Sequence, residues 1–162
     1  MDPVVSAPDP GLDALGRLRA ELRGSMAALE QALAAPAPGR GGAWAERVDA
    51  ALVELAADFR AHVAVTEGPD GLHGAVLATS PRLASSVRRL VGEHAVIVGL
   101  VEDLLRRAGD AGTDAGAEAG PNPGAGAIRQ LGTALLGRLA RHRQHGADLI
   151  YQAYQVDLGG ET

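Results

Sequence analysis

The chain contains no cysteine. This absence excludes disulfides, thiolate catalysis, iron–sulfur clusters and cysteine-based zinc sites. All 15 basic residues are arginine, aromatic residues make up 2% of the chain, and the formal net charge is −5. A nucleic-acid interface needs a cationic face and usually stacking aromatics, so we expect no nucleic-acid partner.

Long apolar runs are also lacking. No stretch approaches the roughly 20 apolar residues that span a bilayer, and residues 1–10 show no charged-then-apolar signal pattern. We therefore expect no membrane partner and a cytoplasmic location. At 162 residues the chain is long enough for one domain, which we place at residues 11–158. We expect a flexible lead-in over residues 1–10, a flexible linker at about 109–126 and a tail over residues 159–162.

What the sequence does have is helical periodicity. Apolar residues recur at steps of three and four in four segments, which predicts four amphipathic helices at about 12–34, 43–66, 81–108 and 127–156. Pro81 after Ser80 is typical of a helix start. A short apolar stretch at 72–77 follows the break at Gly68-Pro69. Alternating strand patterns are missing, so the predicted fold is all-α, an up-down four-helix bundle.

One histidine occupies a core position in each of the last three predicted helices. His62 continues the stripe of Trp44, Val48, Leu52, Leu55 and Phe59. His94 lies in the middle of a seam that repeats at steps of four and three, and His142 falls in a seven-residue repeat. His94 and His142 are central in their helices, whereas His62 lies only four residues before Thr66, near the helix end. If residues 72–77 extend the second helix past the kink, the three heights along the bundle are compatible.

Three imidazoles in an apolar core need polar partners, because unpaired buried polar groups are costly. A divalent metal would satisfy all three at once. Three separate core histidines, each bonded to a backbone carbonyl or a hydroxyl, form the simpler alternative. For the three together we favour a metal site at His62, His94 and His142.

Further ligands could come from neighbouring polar residues. Glu67 comes five residues after His62 and would turn inward only if the helix unwinds there. His145 lies about one turn after His142, and Asp148 one turn later, so both are candidate ligands. Glu93 points about 100° away from His94 and is expected to flank the site. His73 lies beyond the break and is expected to be exposed.

This arrangement resembles the hemerythrin-like (HHE cation-binding) family. The segment Phe59–Glu67 is similar to the family's second-helix stretch, Leu90–His94 to its third-helix Glu-His, and Arg141–Tyr151 to its fourth-helix His followed by acids. The resemblance implies a four-helix bundle with a core di-iron site that binds oxygen or senses oxygen or iron.

The sequence departs from that family's pattern at several ligand positions. The first helix has no histidine, and Thr66 and Leu90 stand where a Glu and a His are usual. Gly146 and Ala147 occupy the fourth-helix acid positions. Three of the usual five histidines are thus present.

Three functions remain open from the sequence. The first is a divergent hemerythrin-like protein in redox or oxygen-related sensing or in metal handling. It would bind iron, as a di-iron or mononuclear site, or zinc, with dioxygen or another small ligand as a partner. The second is a metal-free bundle that binds a partner or ligand. The third is a metalloenzyme with an open three-histidine site. Enzymatic activity and oligomeric state are left undetermined by these patterns.

Overall fold

The computed structural model describes residues 10–37, 42–113 and 123–155, and these residues form helices and turns, with no strand among them. The elements are α1 (Pro10–Ala34), α2 (Gly42–Glu67), α3 (Leu72–Thr79), a 3₁₀ turn (Pro81–Leu83), α4 (Ala84–Thr113) and α5 (Pro123–Gln155). The predicted all-α class is therefore confirmed.

Most of the predicted core positions in the described residues are buried. All eight seam positions of the third predicted helix are buried, His94 among them: Leu83, Val87, Leu90, His94, Ile97, Val101, Leu104 and Ala108. In α5, Ile128, Leu135, His142 and Leu149 are buried. A sustained apolar stripe of this kind stabilises a helix by packing rather than by intrinsic propensity.

Two helix boundaries differ from the prediction. α4 continues through Gly109 to Thr113, and α5 begins at Pro123 rather than Ala127. The glycines and alanines there allow helix even though they favour it weakly, and Ala108, Ala111 and Ala125 are buried. Both helices therefore extend into the linker expected at about residues 109–126. Its middle, the lead-in before residue 10 and the tail lie outside the described residues.

The four long helices pack in a ring around a shared core. α1 packs on α2 and α5, and α4 packs on the other sides of the same two helices. The short α3 contacts α2, α5 and the 3₁₀ turn. The region around Trp44, Leu33 and Ile128 is apolar and is called here the Trp44 end. The region of His62, α3 and the cavity described below is the histidine end.

The turn between α2 and α3 depends on a glycine. A Cβ atom at Gly71 would lie 2.6 Å from the Thr66 carbonyl oxygen and 2.8 Å from that of Gly68. These contacts are too short for any other residue. The tight turn lets α3 fold back against the bundle, and it places His73 beside the core histidines. None of the described helices is apolar over a long enough stretch to cross a membrane.

Candidate metal centre

His62, His94 and His142 meet inside the bundle through their Nε2 atoms. The Nε2–Nε2 distances are 3.3 Å from His94 to His62, 3.1 Å from His94 to His142 and 3.1 Å from His62 to His142. His94 and His142 are buried, and His62 is partly buried. The three residues form a group that could hold a metal ion.

The spacing of the three nitrogens matches metal coordination. Three nitrogens at the usual ~2.0–2.1 Å from one ion are about 3.3 Å apart with tetrahedral angles and about 2.9 Å apart with right angles. The observed 3.1–3.3 Å lies between these values. One ion can therefore contact all three Nε2 atoms without a change in backbone position.

Carboxylates fix the orientation of two of the three rings. Nδ1 of His94 donates to Oε1 of Glu67, at the end of α2. Nδ1 of His142 donates to Oε2 of Glu93, on α4, over 2.8 Å. Each carboxylate thereby holds the proton on Nδ1 and leaves a lone pair on Nε2. Carboxylate–histidine pairs of this kind orient metal ligands and make them more basic.

The resulting tautomers leave an unfavourable arrangement at the centre. The Nε2 lone pairs of His94 and His142 face each other at 3.1 Å, and His62 can donate one proton at most. Nδ1 of His62 is buried and has no hydrogen-bond partner among the described residues. Two lone pairs at this distance repel unless a positive charge lies between them.

A proton is a poor source of that charge at neutral pH. Burial, and then the charges of His142, His94, Arg19 and His73, lower the pKa of His62 to about 3. Burial also lowers the pKa of His142, and the opposing hydrogen bond to Glu93 does not fully offset this effect. Both rings are therefore neutral near pH 7, the state in which imidazole binds metals.

Glu93 links two histidines of α5. Its second oxygen, Oε1, accepts a hydrogen bond of 2.6 Å from Nδ1 of His145. Burial raises the pKa of Glu93, but the hydrogen bonds from His142 and His145 outweigh burial and lower it overall. The carboxylate therefore stays ionised and acts as the acceptor for both rings.

Phe59 covers the cluster with an apolar surface. Its ring centroid lies 5.7 Å from those of His62 and His94 and 6.0 Å from that of His142. Phe59 is 1% exposed, so it keeps water from this side and separates the histidines from the apolar Trp44 end.

A cavity of about 420 Å³ adjoins the cluster and is lined in part by His62, His142 and His73. His73 was expected to be exposed, but it is buried. Its ring stacks on His94, with centroids 5.8 Å apart and planes within 9°. Its Nδ1 atom has no hydrogen-bond partner among the described residues.

The other proposed ligands lie away from the three Nε2 atoms. Glu67 contacts His94 on the opposite side of the ring, at Nδ1. His145 contacts Glu93, and exposed Asp148 accepts a hydrogen bond from Gln144 at 2.8 Å. Glu67 is the last residue of α2, and the helical hydrogen bond from Gly68 to the Ala64 carbonyl is intact. Its carboxylate therefore contacts His94 without the unwinding of the helix that was expected to be necessary.

Two residues at the cavity were missed in the sequence, Arg19 and His73. Arg19 stands in a step pattern of four and three with Leu15, Leu22, Met26 and Leu29, so it occupies a core position just as the histidines do. A polar residue in a core position of the apolar pattern therefore also occurs in the first helix. His73 lies three residues before the buried Val76, a spacing that places both on one face of α3.

Comparisons with family models, with curated proteins and with solved structures give no match for this chain. The geometry of the three histidines, and not kinship, is therefore the basis for a functional assignment.

Proposed function

We propose that this protein binds one divalent transition-metal ion through Nε2 of His62, His94 and His142. The observation that carries the proposal is that Nε2 of His94 and Nε2 of His142 lie 3.1 Å apart, while a carboxylate contacts Nδ1 on the far side of each ring. An ion between the nitrogens removes their repulsion. Iron(II) and zinc both accept three imidazoles.

A single ion fits this site better than a pair. The three Nε2 atoms converge on one point, and the nearby carboxylates of Glu67 and Glu93 are engaged with Nδ1 atoms. The Thr66 hydroxyl donates to the backbone oxygens of His62 and Val63. Both carboxylates thus lie on the far sides of the His94 and His142 rings, away from the point where the Nε2 atoms converge.

Three protein ligands leave coordination positions open. The adjoining cavity gives a small molecule a route to them, and dioxygen is one such ligand. This arrangement favours a sensing, metal-handling or catalytic role over a purely structural ion, since structural zinc sites usually have four protein ligands.

We further propose that the chain is a divergent hemerythrin-like protein with an up-down arrangement of its four long helices. The ring of contacts, in which α1 packs on α2, α2 on α4, α4 on α5 and α5 on α1, supports this arrangement. The order of the histidines, one each on the second, third and fourth long helices, also supports it. A redox or oxygen-related role would follow from iron at this site.

Metal content tests the proposal. The protein is purified without a histidine tag, loaded separately with Fe(II) under anaerobic conditions and with Zn(II), desalted and analysed by elemental mass spectrometry. We expect about one equivalent per chain. Less than about a tenth of an equivalent of either metal would overturn the proposal, and about two equivalents would contradict the single-ion site.

Substitutions locate the ion. His94→Leu and His142→Leu are expected to reduce loading to about a tenth of an equivalent or less, because two imidazoles hold these ions weakly. Asp148→Asn is the matched control, since Asp148 is exposed and contacts Gln144. This variant should bind as much metal as the wild type. A loss of metal in Asp148→Asn would indicate that the ion binds elsewhere.

A further inference from the structure

The wall of the cavity has a charge opposite to that of the chain as a whole. Its lining includes Arg19, Arg23 and Arg143 and contains no acidic residue, although the chain carries a net charge of −5. Much of the remaining wall is aliphatic, with five leucines: Leu15, Leu22, Leu72, Leu90 and Leu149. The cavity thus combines an apolar body with a local positive charge.

Arg19 and Arg143 bring two positive charges to the same wall. Arg19 is only partly exposed, and its pKa is lowered by burial and then by the charge of Arg143. Neither guanidinium makes an ion pair or a hydrogen bond with another group in the described part of the chain. By contrast, Arg106 and Arg107 both bond to Asp103, over 2.8 and 2.9 Å.

Two neighbouring guanidiniums without a counter-ion are destabilising, and the partial burial of Arg19 adds a desolvation cost. An anion between them offsets both effects. A carboxylate suits this position because guanidinium binds it through two parallel hydrogen bonds. The leucines of the wall would then contact an apolar group attached to that carboxylate.

We propose that this cavity binds a small carboxylate with an apolar body, its carboxylate held between Arg19 and Arg143 and its body against the leucines. The ligand would lie beside His62 and His142, which line the same cavity. The placement of this ligand next to a metal ion rests on the proposed function. The arginine–carboxylate contact itself requires no ion.

The volume limits the class of ligand. About 420 Å³ is near the lower end of the ~300–1,000 Å³ typical of small-molecule pockets. A short-chain or single-ring acid fits such a space. Octanoate and benzoate are therefore suitable probes, and octanol and benzyl alcohol are their neutral counterparts.

Calorimetry and thermal unfolding of the full chain test the inference. We expect octanoate or benzoate to bind and to raise the melting temperature in a concentration-dependent way, since a ligand that binds only the folded state stabilises it. The alcohols should bind at least about tenfold more weakly, because they lack the charge that Arg19 and Arg143 recognise. Equal binding of acids and alcohols, or no binding of either acid, would overturn the proposal.

Variants assign the binding to the two arginines. Arg19→Gln and Arg143→Gln should each weaken carboxylate binding by at least about tenfold. Arg17→Gln is the matched control, because Arg17 is exposed on the same helix and does not line the cavity. Circular dichroism checks that each variant folds. Unchanged affinity in both cavity variants, or an equal loss in Arg17→Gln, would contradict the assignment.

The measurements are made on metal-free and on zinc-loaded protein so that the two proposals fail separately. Carboxylate binding without any metal loading overturns the metal site and supports the cavity ligand. Metal loading without carboxylate binding supports the metal site and overturns the cavity ligand. If an acid binds only to the zinc-loaded protein, and Arg19→Gln leaves its affinity unchanged, the proposed contact with the arginines is also overturned.

Discussion

Arginine side chains at the two ends of the bundle make different contacts. At the Trp44 end, Arg129 donates to the backbone oxygens of Leu33 and Ala35 over 3.0 and 2.9 Å. It also stacks on Trp44, with its guanidinium carbon 4.7 Å from the ring centroid. At the histidine end, Arg19 has no such partner among the described residues and lines an open cavity.

The same contrast holds for the other polar groups. Trp44 donates through Nε1 to the Ala32 carbonyl at 2.9 Å, whereas His62 and His73 each keep a buried Nδ1 without a partner among the described residues. Satisfied polar groups in a packed core stabilise the folded state, and unsatisfied ones destabilise it. The Trp44 end therefore contributes more to the stability of the folded state, and the unpaired groups at the histidine end reduce it.

Removing a core leucine tests this division with the largest expected effect. Leu52 is 0% exposed and lies in the main core. Leu52→Ala should lower the free energy of unfolding by about 2–5 kcal/mol, because it removes apolar contacts and leaves a void. Urea titration of the metal-free protein measures the change.

Leu90→Ala provides the matched comparison. Leu90 is 3% exposed but lines the existing cavity, so truncation there enlarges a space that is already open. Its cost should be smaller than that of Leu52→Ala. An equal or larger cost would show that the histidine end contributes as much packing stability as the Trp44 end.

Neutralising Glu93 tests the histidine end by itself. Glu93→Gln removes the charge that orients His142 and should weaken metal affinity by about 10–100-fold, the usual effect of losing such a partner. Competition with a chromophoric chelator measures the affinity. The number of bound ions should stay the same, since all three histidines remain.

Glu102→Gln is the control for the Glu93 substitution. Glu102 is an exposed acid on the same helix, so it tests whether loss of one negative charge is enough to alter metal affinity. We expect no change. Equal weakening in both variants would indicate a general charge effect rather than the contact between Glu93 and His142.

Much of this architecture could be predicted from the sequence, because the apolar seams reflect burial directly. The positions of His94 and His142 in seven-residue patterns indicated that they were buried, and their convergence with His62 followed from helix packing. The carboxylate contacts could not be predicted in the same way. Glu93 lies beside His94 in sequence but contacts His142 and His145 on another helix.

The turn after α2 limited the prediction for a different reason. Whether His73 faces the core depends on the angle between α2 and α3, which periodicity within one helix cannot give. Arg19 was missed because an arginine in a core position is usually read as an edge residue that extends to solvent. Its meaning emerged only with the cavity and Arg143 beside it.

The pH dependence of stability is the smallest expected effect and probes the metal-free site. The pKa of His62 is about 3 in the folded protein and about 6.5 in an unfolded chain. The unfolded state therefore takes up the proton first as the pH falls. The contribution of neutral His62 to stability is complete above about pH 6.5 and is lost progressively as the pH falls from there towards about 3.

The lowered pKa values of His142 and His73 act in the same direction. Each such histidine adds a slope of at most about 1.4 kcal/mol per pH unit below pH 6.5. Between pH 7.5 and 5.5, where most carboxylates stay ionised, the unfolded imidazole goes from about one tenth to about nine tenths protonated. His62→Leu should therefore reduce the average slope by about half a proton, about 0.7 kcal/mol per pH unit. Glu46 is an exposed residue close to Trp44 in the sequence, so Glu46→Gln is the control substitution and should leave the slope unchanged. A slope that is the same in wild type and His62→Leu would mean that His62 binds a proton as readily in the folded cluster as in the unfolded chain. The central repulsion would then be relieved by that proton, and the argument for a metal ion between the three nitrogens would lose its main support.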